Sequence, residues 1–542
     1  MDEQFDLYET YGTLIIAQKQ KFICAIDRFT LEEVSTQEIP SDDSKIPFLF
    51  VLGLYRYENR YNESIYFLVL VTEVEKFDFF NVGQIKSFKI IPLKYNTERL
   101  QDSGKFQELL ELGLKHCSMY YSQDYNLSLT LQQQFENRPS REYFVWNYTA
   151  IDRLKSIWPT ALCFREVIAG YFTQKDPFVL ISRKSNRNGG CHTWNRGADA
   201  NGMCANYIEN EEIIILGQSE QRINAISHIE IGASCPFLWS QFPTMHLHCP
   251  IHIGPQEENE RRFNLHFDHL YETYFDNDKE NNSIIAISLL GSKGKEVKLN
   301  TIYEELANKR GIDFIHINFN NVMKEQGGLS NEIDKYKDEF DACVIQDGKV
   351  VVKQTTIPRI NCASCLDRTS VFMENMFRSI FTKYEPTIMC DNVETHKKMW
   401  LERADIISRQ YAITEGEKTY MIQTSKKTLT GRYHDYSISW QRFFYSIFCE
   451  GKYCDAINAV LQEKPFTSFE SEKQFFIKFF LFIKLIFVFI FLYIFKGRKV
   501  ASKTWSERIK PIINHPHIAD LHDAEEFYNN NDPIEENEIP KA

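Results

Sequence analysis

The stretch Pro358-Arg359-Ile360-Asn361-Cys362-Ala363-Ser364-Cys365-Leu366-Asp367-Arg368-Thr369-Ser370 concentrates the residue types that can do covalent chemistry. A thiol at Cys362 and a guanidinium at Arg368, with five residues between them, are the parts of a phosphate-transfer loop. Backbone N–H groups of Ala363, Ser364, Cys365 and Leu366, curled at a helix N-terminus, would bind a dianion and lower the thiol pKa. The thiolate of Cys362 would attack phosphorus, and water would then hydrolyse the phosphocysteine. Arg368 offers a planar fork for two phosphate oxygens. Thr369 or Ser370 would stabilise the leaving sulfur or hold an oxygen. The same residues admit blander readings. Cys362-x-x-Cys365 is also the spacing of half a zinc site or of a redox pair. No second CxxC is present, which weakens the four-cysteine reading. Spacing alone leaves an inert buried thiol open as well.

Such a loop needs a sheet behind it and a helix ahead of it. Upstream, DACVIQ, an Asp347-Gly348 turn and KVVVKQ read as a hairpin. Downstream, Val371, Phe372, Met376, Phe377, Ile380 and Phe381 recur at helical spacing. The first 150 or so residues carry β-rich runs such as YGTLIIA, FLFVLGLYRY and SIYFLVLVTEV. Further on, DPFVLISR, EEIIILG, SIIAISLL and DFIHINF look like strands separated by helical stretches. The fold class expected is mixed α/β: a β-rich N-terminal domain over 1–154 packed on an α/β catalytic domain over 155–460.

The 542 residues carry 62 Lys+Arg against 74 Asp+Glu, a formal net charge of -12. That balance argues against a general nucleic-acid binder, though not against a local basic pocket. With 43% hydrophobic and 14% aromatic residues, the chain is not wholly disordered. Its 13 cysteines are scattered, without a dense framework, as in a reducing compartment.

Asn361-Cys362-x-x-Cys365-Leu366-Asp367-Arg368-Thr369 resembles the signature of Sac-domain phosphoinositide phosphatases. Other segments resemble that family in the same order. They are Tyr120-Tyr121-Ser122, Leu127 to Leu131, Phe144-Val145-Trp146-Asn147 and Leu180-Ile181-Ser182-Arg183-Lys184-Ser185. Trp194-Asn195-Arg196-Gly197 and Ala205-Asn206-Tyr207-Ile208-Glu209-Asn210-Glu211 follow. Pro236-Phe237-Leu238-Trp239-Ser240-Gln241 and Arg409-Gln410-Tyr411-Ala412 complete the set. The resemblance covers about residues 50 to 460. It implies hydrolysis of phosphatidylinositol monophosphates, the 4-phosphate favoured, through Cys362 and Arg368, with a membrane phosphoinositide as partner and no cofactor. Two positions depart from the family pattern. Ser364 stands where the family usually has Asp, and Gly232-Ala233-Ser234-Cys235-Pro236 replaces Arg-Gly-Ser-x-Pro. A Ser hydroxyl is not an efficient general acid near neutral pH. Asp367 remains as a carboxylate that could compensate. A catalytically weakened, phosphoinositide-binding scaffold is therefore the alternative.

Arg183, Lys184, Arg187 and Arg196 cluster in sequence near a Gly- and Asn-rich stretch, and Lys426 and Lys427 follow Thr424-Ser425. Arg183, Lys184, Arg196, Lys426 and Lys427 are expected to form an electropositive mouth for the headgroup, against the plain alternative of a solvated surface. His246, His248, Cys249 and His252 are read as strand residues rather than metal ligands. GSKGK at Gly291–Lys295 is a turn, since it lacks the glycine spacing of a nucleotide loop. After a linker at 461–474, Phe475 to Phe495 is apolar but for Lys478 and Lys484, about the ~20 residues of one span. Lys496, Arg498, Lys499 and Lys503 follow it, and the tail over 496–542 ends acidic, with eight acids and one lysine from Asp520 to Ala542. The expectation is an endoplasmic reticulum or Golgi membrane protein whose catalytic domain faces the cytosol. Its anchor is either a single span or a re-entrant hairpin.

Overall fold

The computed structural model describes residues 4–462, apart from 36–37, 41–44, 59–63, 94–99, 159–162, 220–221, 242–249, 326–327 and 425–427. Five short strands between Phe5 and Phe48 form an antiparallel sheet. Phe5, Leu7, Leu14, Ile16, Cys24 and Ile26 alternate along three of them and bury one face against Leu54, Leu68, Ile91 and Trp158.

The second sheet has 13 strands and carries the site. Its antiparallel part runs through Phe50–Glu58, Ser64–Lys76, Gly83–Leu93, Met119–Tyr121, Ile168–Lys175, Phe178–Lys184, Ile208–Ser219 and Arg222–Gly232. It then turns parallel through Thr356–Asn361, Ser283–Ser288 and Phe314–His316. The hairpin Cys343–Gln346 and Lys349–Val352 hangs from Arg222–Gly232. Its turn residues Asp347 and Gly348 take positive φ of 51° and 71°, as Asp-Gly turns do. The sheet passes residues 154 and 155 without a break in its strand order.

The strand that feeds the loop is Thr356–Asn361, and residue patterning gives little sign of it. Pro358 and Arg359 both weaken the reading of a central strand. It nevertheless lies between Ser283–Ser288 and Arg222–Gly232, buried from Ile357 to Asn361. The helix Asp367–Tyr384 follows. Its stripe of Val371, Phe372, Met376, Phe377, Ile380 and Phe381 packs with Met399, Trp400 and Ile407 of the helix Val393–Ala412 and with Ile285, Ile287 and Ile360 of the sheet. Each such fully buried side chain contributes roughly 1.5–3 kcal/mol, so the helix start is rigidly seated.

The chain closes on itself through the helices Leu100–His116 and Glu450–Leu461, which share a core with Phe67, Val69 and Trp146. A Cβ on Gly113 would collide with the Ala456 carbonyl, so glycine permits this close crossing. That contact seats the middle of the last described helix, whose first residue is Glu450. Among the described residues no helix is long and apolar enough to cross a membrane. The apolar run Phe475 to Phe495, its linker and the tail lie outside the described residues.

Candidate active site

Cys362 sits where the central strand ends, at the C-terminal edge of the parallel part of the sheet, the edge at which open α/β sheets bind ligands. Residues 362–366 then curl into the first turn of Asp367–Tyr384. The reversal falls on Cys365, whose φ is 55° although it is not glycine. Its thiol donates to the carbonyls of Ala233 at 2.7 Å and Cys362 at 3.1 Å, which hold this turn in place.

The Cys362 sulfur receives the backbone N–H of Cys365 at 3.1 Å and the Thr369 hydroxyl at 3.3 Å. Burial alone would push its thiol up. The Cys365 contact, the Arg368 guanidinium, the Thr369 hydroxyl and the Ser364 N–H overcome that and hold it well below the usual thiol range. Cys365 itself, buried and facing that sulfur, is pushed well above it. Cys362 is thus the thiol of the pair disposed to ionise, and Cys365 the one disposed to keep its proton.

Arg368 is engaged end-on. Its two terminal nitrogens meet the Glu296 carboxylate at 2.8 and 2.5 Å, and one of them also donates to the Leu289 carbonyl at 2.9 Å. Glu296 is fixed in turn by the Gly291 N–H at 2.6 Å. The segment Gly291–Lys295 thus precedes the helix Glu296–Arg310 and delivers a counter-ion to the loop arginine.

Asp367 departs from the expectation that it compensates for Ser364. Both its oxygens face the Arg442 guanidinium, at 2.5 and 2.9 Å, and one accepts the Glu417 N–H. Burial would raise its carboxyl, but Arg442 overrides that and holds it below the usual carboxylate range. A carboxylate so committed carries no proton to donate; its geometry anchors the helix start instead.

The expected electropositive mouth is also revised. Arg183 lies within the strand Phe178–Lys184, fully buried, and its guanidinium bonds Glu209, Glu211 and the carbonyls of Leu127 and Leu129. Lys184 is buried too, with its ammonium 4.2 Å from the Tyr411 ring centre and 5.2 Å from that of Trp146. A guanidinium with two carboxylates, and an ammonium between two rings, cannot reach a headgroup. Arg196 does reach the loop, donating to the Ala363 carbonyl at 2.7 Å. Lys426 and Lys427, and also His246, His248 and Cys249, lie outside the described residues. His252 is on the two-residue strand His252–Ile253, and no cluster able to hold a metal ion occurs among the described residues.

Residue spacing did not point to three further neighbours of the loop. The Asn206 amide donates to the Ser364 carbonyl at 3.3 Å, His192 Nε2 lies 2.8 Å from Ser364 Oγ, and Arg403 donates to Ser370 Oγ at 2.8 Å. Asn206 stands within Ala205 to Glu211, a segment already singled out by resemblance. His192 and Arg403 carried no signal, since only the fold brings them near. A cavity of about 300 Å³ among Ser122, Asp124, Leu127 and Glu166 shares no lining residue with the loop.

Comparison with known proteins agrees with the family resemblance. The SacI homology domain model matches residues 50–324, half of the chain. The phosphatidylinositol-3-phosphatase SAC1 of Saccharomyces cerevisiae is 25% identical over 482 residues, 79% of this chain and 74% of that protein. Its namesake in Drosophila melanogaster is 26% identical, covering 70% and 69%. The phosphoinositide phosphatase SAC7 of Arabidopsis thaliana is 24% identical, covering 72% and 71%.

Proposed function

We propose, from the premise that the chain belongs to the SacI homology domain family, that it is a phosphoinositide phosphatase acting through a phosphocysteine on Cys362. The observation that carries this is the place of the Cys362 sulfur, at the end of a central parallel strand with the Cys365 N–H and the Thr369 hydroxyl on it. In the first step the sulfur attacks phosphorus, the P–O bond breaks and the inositol oxygen leaves with a proton taken from solvent; in the second, water takes the phosphoryl group and restores the thiolate. The amides of the loop 363–366 that are not spent on the sulfur would meet the equatorial oxygens. An arginine has five N–H donors. With the end-on fork of Arg368 on Glu296 and Leu289, its Nε/Nη2 edge is the one left to bind phosphate. Thr369 stabilises the sulfur as it departs in the second step, and Arg196 braces the loop at Ala363. The division of labour between 1–154 and 155–460 is part of the same reading.

The preferred substrate in this proposal is phosphatidylinositol 4-phosphate, with the 3-phosphate as competitor because two of the relatives are named 3-phosphatases. The detergent-solubilised full chain is expected to release phosphate from short-chain forms of both, faster from the 4-phosphate. Equal or reversed rates would overturn the preference and leave the activity standing. Ser364 motivates the scaffold alternative. Restoring a carboxylate by Ser364→Asp is expected to raise turnover and weaken phosphate affinity, because the new charge faces the bound dianion. Binding without turnover by both wild type and Ser364→Asp would give the scaffold reading the lead.

The anchor and the endoplasmic reticulum or Golgi membrane location belong to the proposal as well. A chain cut before Phe475 is expected to turn over short-chain substrate while losing carbonate-resistant membrane association. Persistent association after the cut would move the anchor elsewhere.

A further inference from the structure

We infer that Ser364, His192 and Glu450 form a proton relay that takes the water proton when phosphocysteine is hydrolysed. The inference rests on the phosphocysteine reading above and assigns its second step to residues that reading leaves unused.

The geometry is specific. His192 Nε2 is 2.8 Å from Ser364 Oγ, two residues beyond the nucleophile. The other ring nitrogen is 2.9 Å from the Thr193 hydroxyl and 3.8 Å from Glu450 Oε1. The backbone N–H of His192 donates to the Tyr411 carbonyl at 2.7 Å, which fixes the ring's base. Glu450 is fully buried, and its Oε2 accepts the Thr193 N–H at 3.1 Å. Its Oε1 has no hydrogen-bond partner among the described residues. A buried carboxylate oxygen without a donor is costly. Here it points toward the one ring whose charge the second step would change.

The resting ring has a lone pair for a proton. Burial, then Arg196 and Arg442, hold His192 well below its usual range, so the resting imidazole is neutral. With Nε2 accepting from Ser364, the proton resides on Nδ1, facing Thr193 and Glu450. The balance of the step is simple. Water oxygen bonds to phosphorus, the S–P bond breaks, and its electron pair returns to Cys362 as thiolate. One water proton passes to Ser364 Oγ as the Ser364 proton passes to His192 Nε2. Hydrogen phosphate and an imidazolium result; burial pushes the Glu450 carboxyl up to about 7, and the imidazolium beside it favours the ionised form, which offsets the new charge. The imidazolium later releases its proton to solvent. Ser364 thus replaces a carboxylate by conducting a proton rather than holding one.

The test separates the two half-reactions. Rapid quenching of the full chain with phosphorus-labelled short-chain phosphatidylinositol 4-phosphate reads phosphoenzyme and released phosphate together. His192→Ala is expected to lower steady-state turnover roughly 10²–10⁴-fold, the usual weight of general-base catalysis, while the first-turnover burst stays near wild type. Labelled enzyme then accumulates, KM falls with kcat, and added imidazole restores part of the rate. His192→Asn keeps a hydrogen-bonding partner for Ser364 but cannot take the proton, so it should be equally slow. Glu450→Gln, at a positioning residue, should slow the same step about tenfold. The relay is overturned if His192→Asn turns over within threefold of wild type. It is also overturned if the loss in His192→Ala comes from a slower burst with no accumulated phosphoenzyme. Wild-type release of phosphate with no labelled enzyme in any variant would instead sink the phosphocysteine reading, and the relay with it.

Discussion

Cys362→Ser is expected to remove phosphatase activity while the protein stays folded and still binds headgroup. The sulfur is one of two groups that change covalent partners in the proposed reaction, and nothing beside it can substitute. Cys365 points to the carbonyls of Ala233 and Cys362, the Thr369 hydroxyl donates to the sulfur, and the Ser364 hydroxyl is engaged by His192. Losing a nucleophile that acts in concert with its surroundings costs on the order of 10⁴–10⁶-fold in kcat. Binding should hold or tighten. The amides and Arg368 remain, while a neutral hydroxyl replaces a negative sulfur beside a dianion. Phosphate release and equilibrium binding of short-chain phosphatidylinositol 4-phosphate, measured on the same preparation, check both halves. Activity within tenfold of wild type would refute the thiolate mechanism. Loss of binding along with activity would show that the substitution had disturbed the loop rather than the chemistry.

What made Cys362 legible was contiguity. Nucleophile, amides, arginine and the helix that seats them occupy one run of sequence, so residue type and spacing were enough to place them. The strands rich in Val, Ile and Leu were legible for a similar local reason. The partners of the loop were not, because the fold brings them from far along the chain. Ser364 meets His192 from 172 positions away, and Arg368 meets Glu296 from 72. Asp367 looked like a spare acid until Arg442, 75 residues later, proved to hold it. Thr356–Asn361 was obscured for a different reason. Pro358 and Arg359 sit in it against local preference, and Arg359 is made tolerable by His266 and by the carbonyls of Ala233 and Ser234. The signature around Cys362 carries the family resemblance all the same, since a signature records the outcome of such contacts without showing them.

Arg183 shows the cost of reading charge in one dimension. In sequence it stands beside Lys184 and near Arg187, which suggests a basic mouth. In the sheet it faces Glu209 in the neighbouring strand, their register fixed by the pairing of Phe178–Lys184 with Ile208–Ser219. Four buried charges, Arg141, Arg183, Glu209 and Glu211, then balance. Arg183→Met is expected to unbalance them. Glu209 keeps both Arg141 contacts, but Glu211 Oε2 loses its guanidinium partner in a fully buried setting. Removing one member of a buried pair costs about 3–5 kcal/mol. Neighbouring strands should hold the backbone, so folded protein should still be recoverable at low temperature. Denaturant or thermal unfolding should show that loss, while KM for phosphatidylinositol 4-phosphate in the folded fraction stays unchanged. A headgroup-binding Arg183 predicts the reverse, a raised KM at unaltered stability. The charge-neutral double change Arg183→Met with Glu211→Gln discriminates further. It should recover part of the lost stability, because the orphaned carboxylate is gone, and it should still leave KM where it was. Recovery of neither quantity would show that Arg183 holds the site through its bonds to the Leu127 and Leu129 carbonyls, which the double change does not restore.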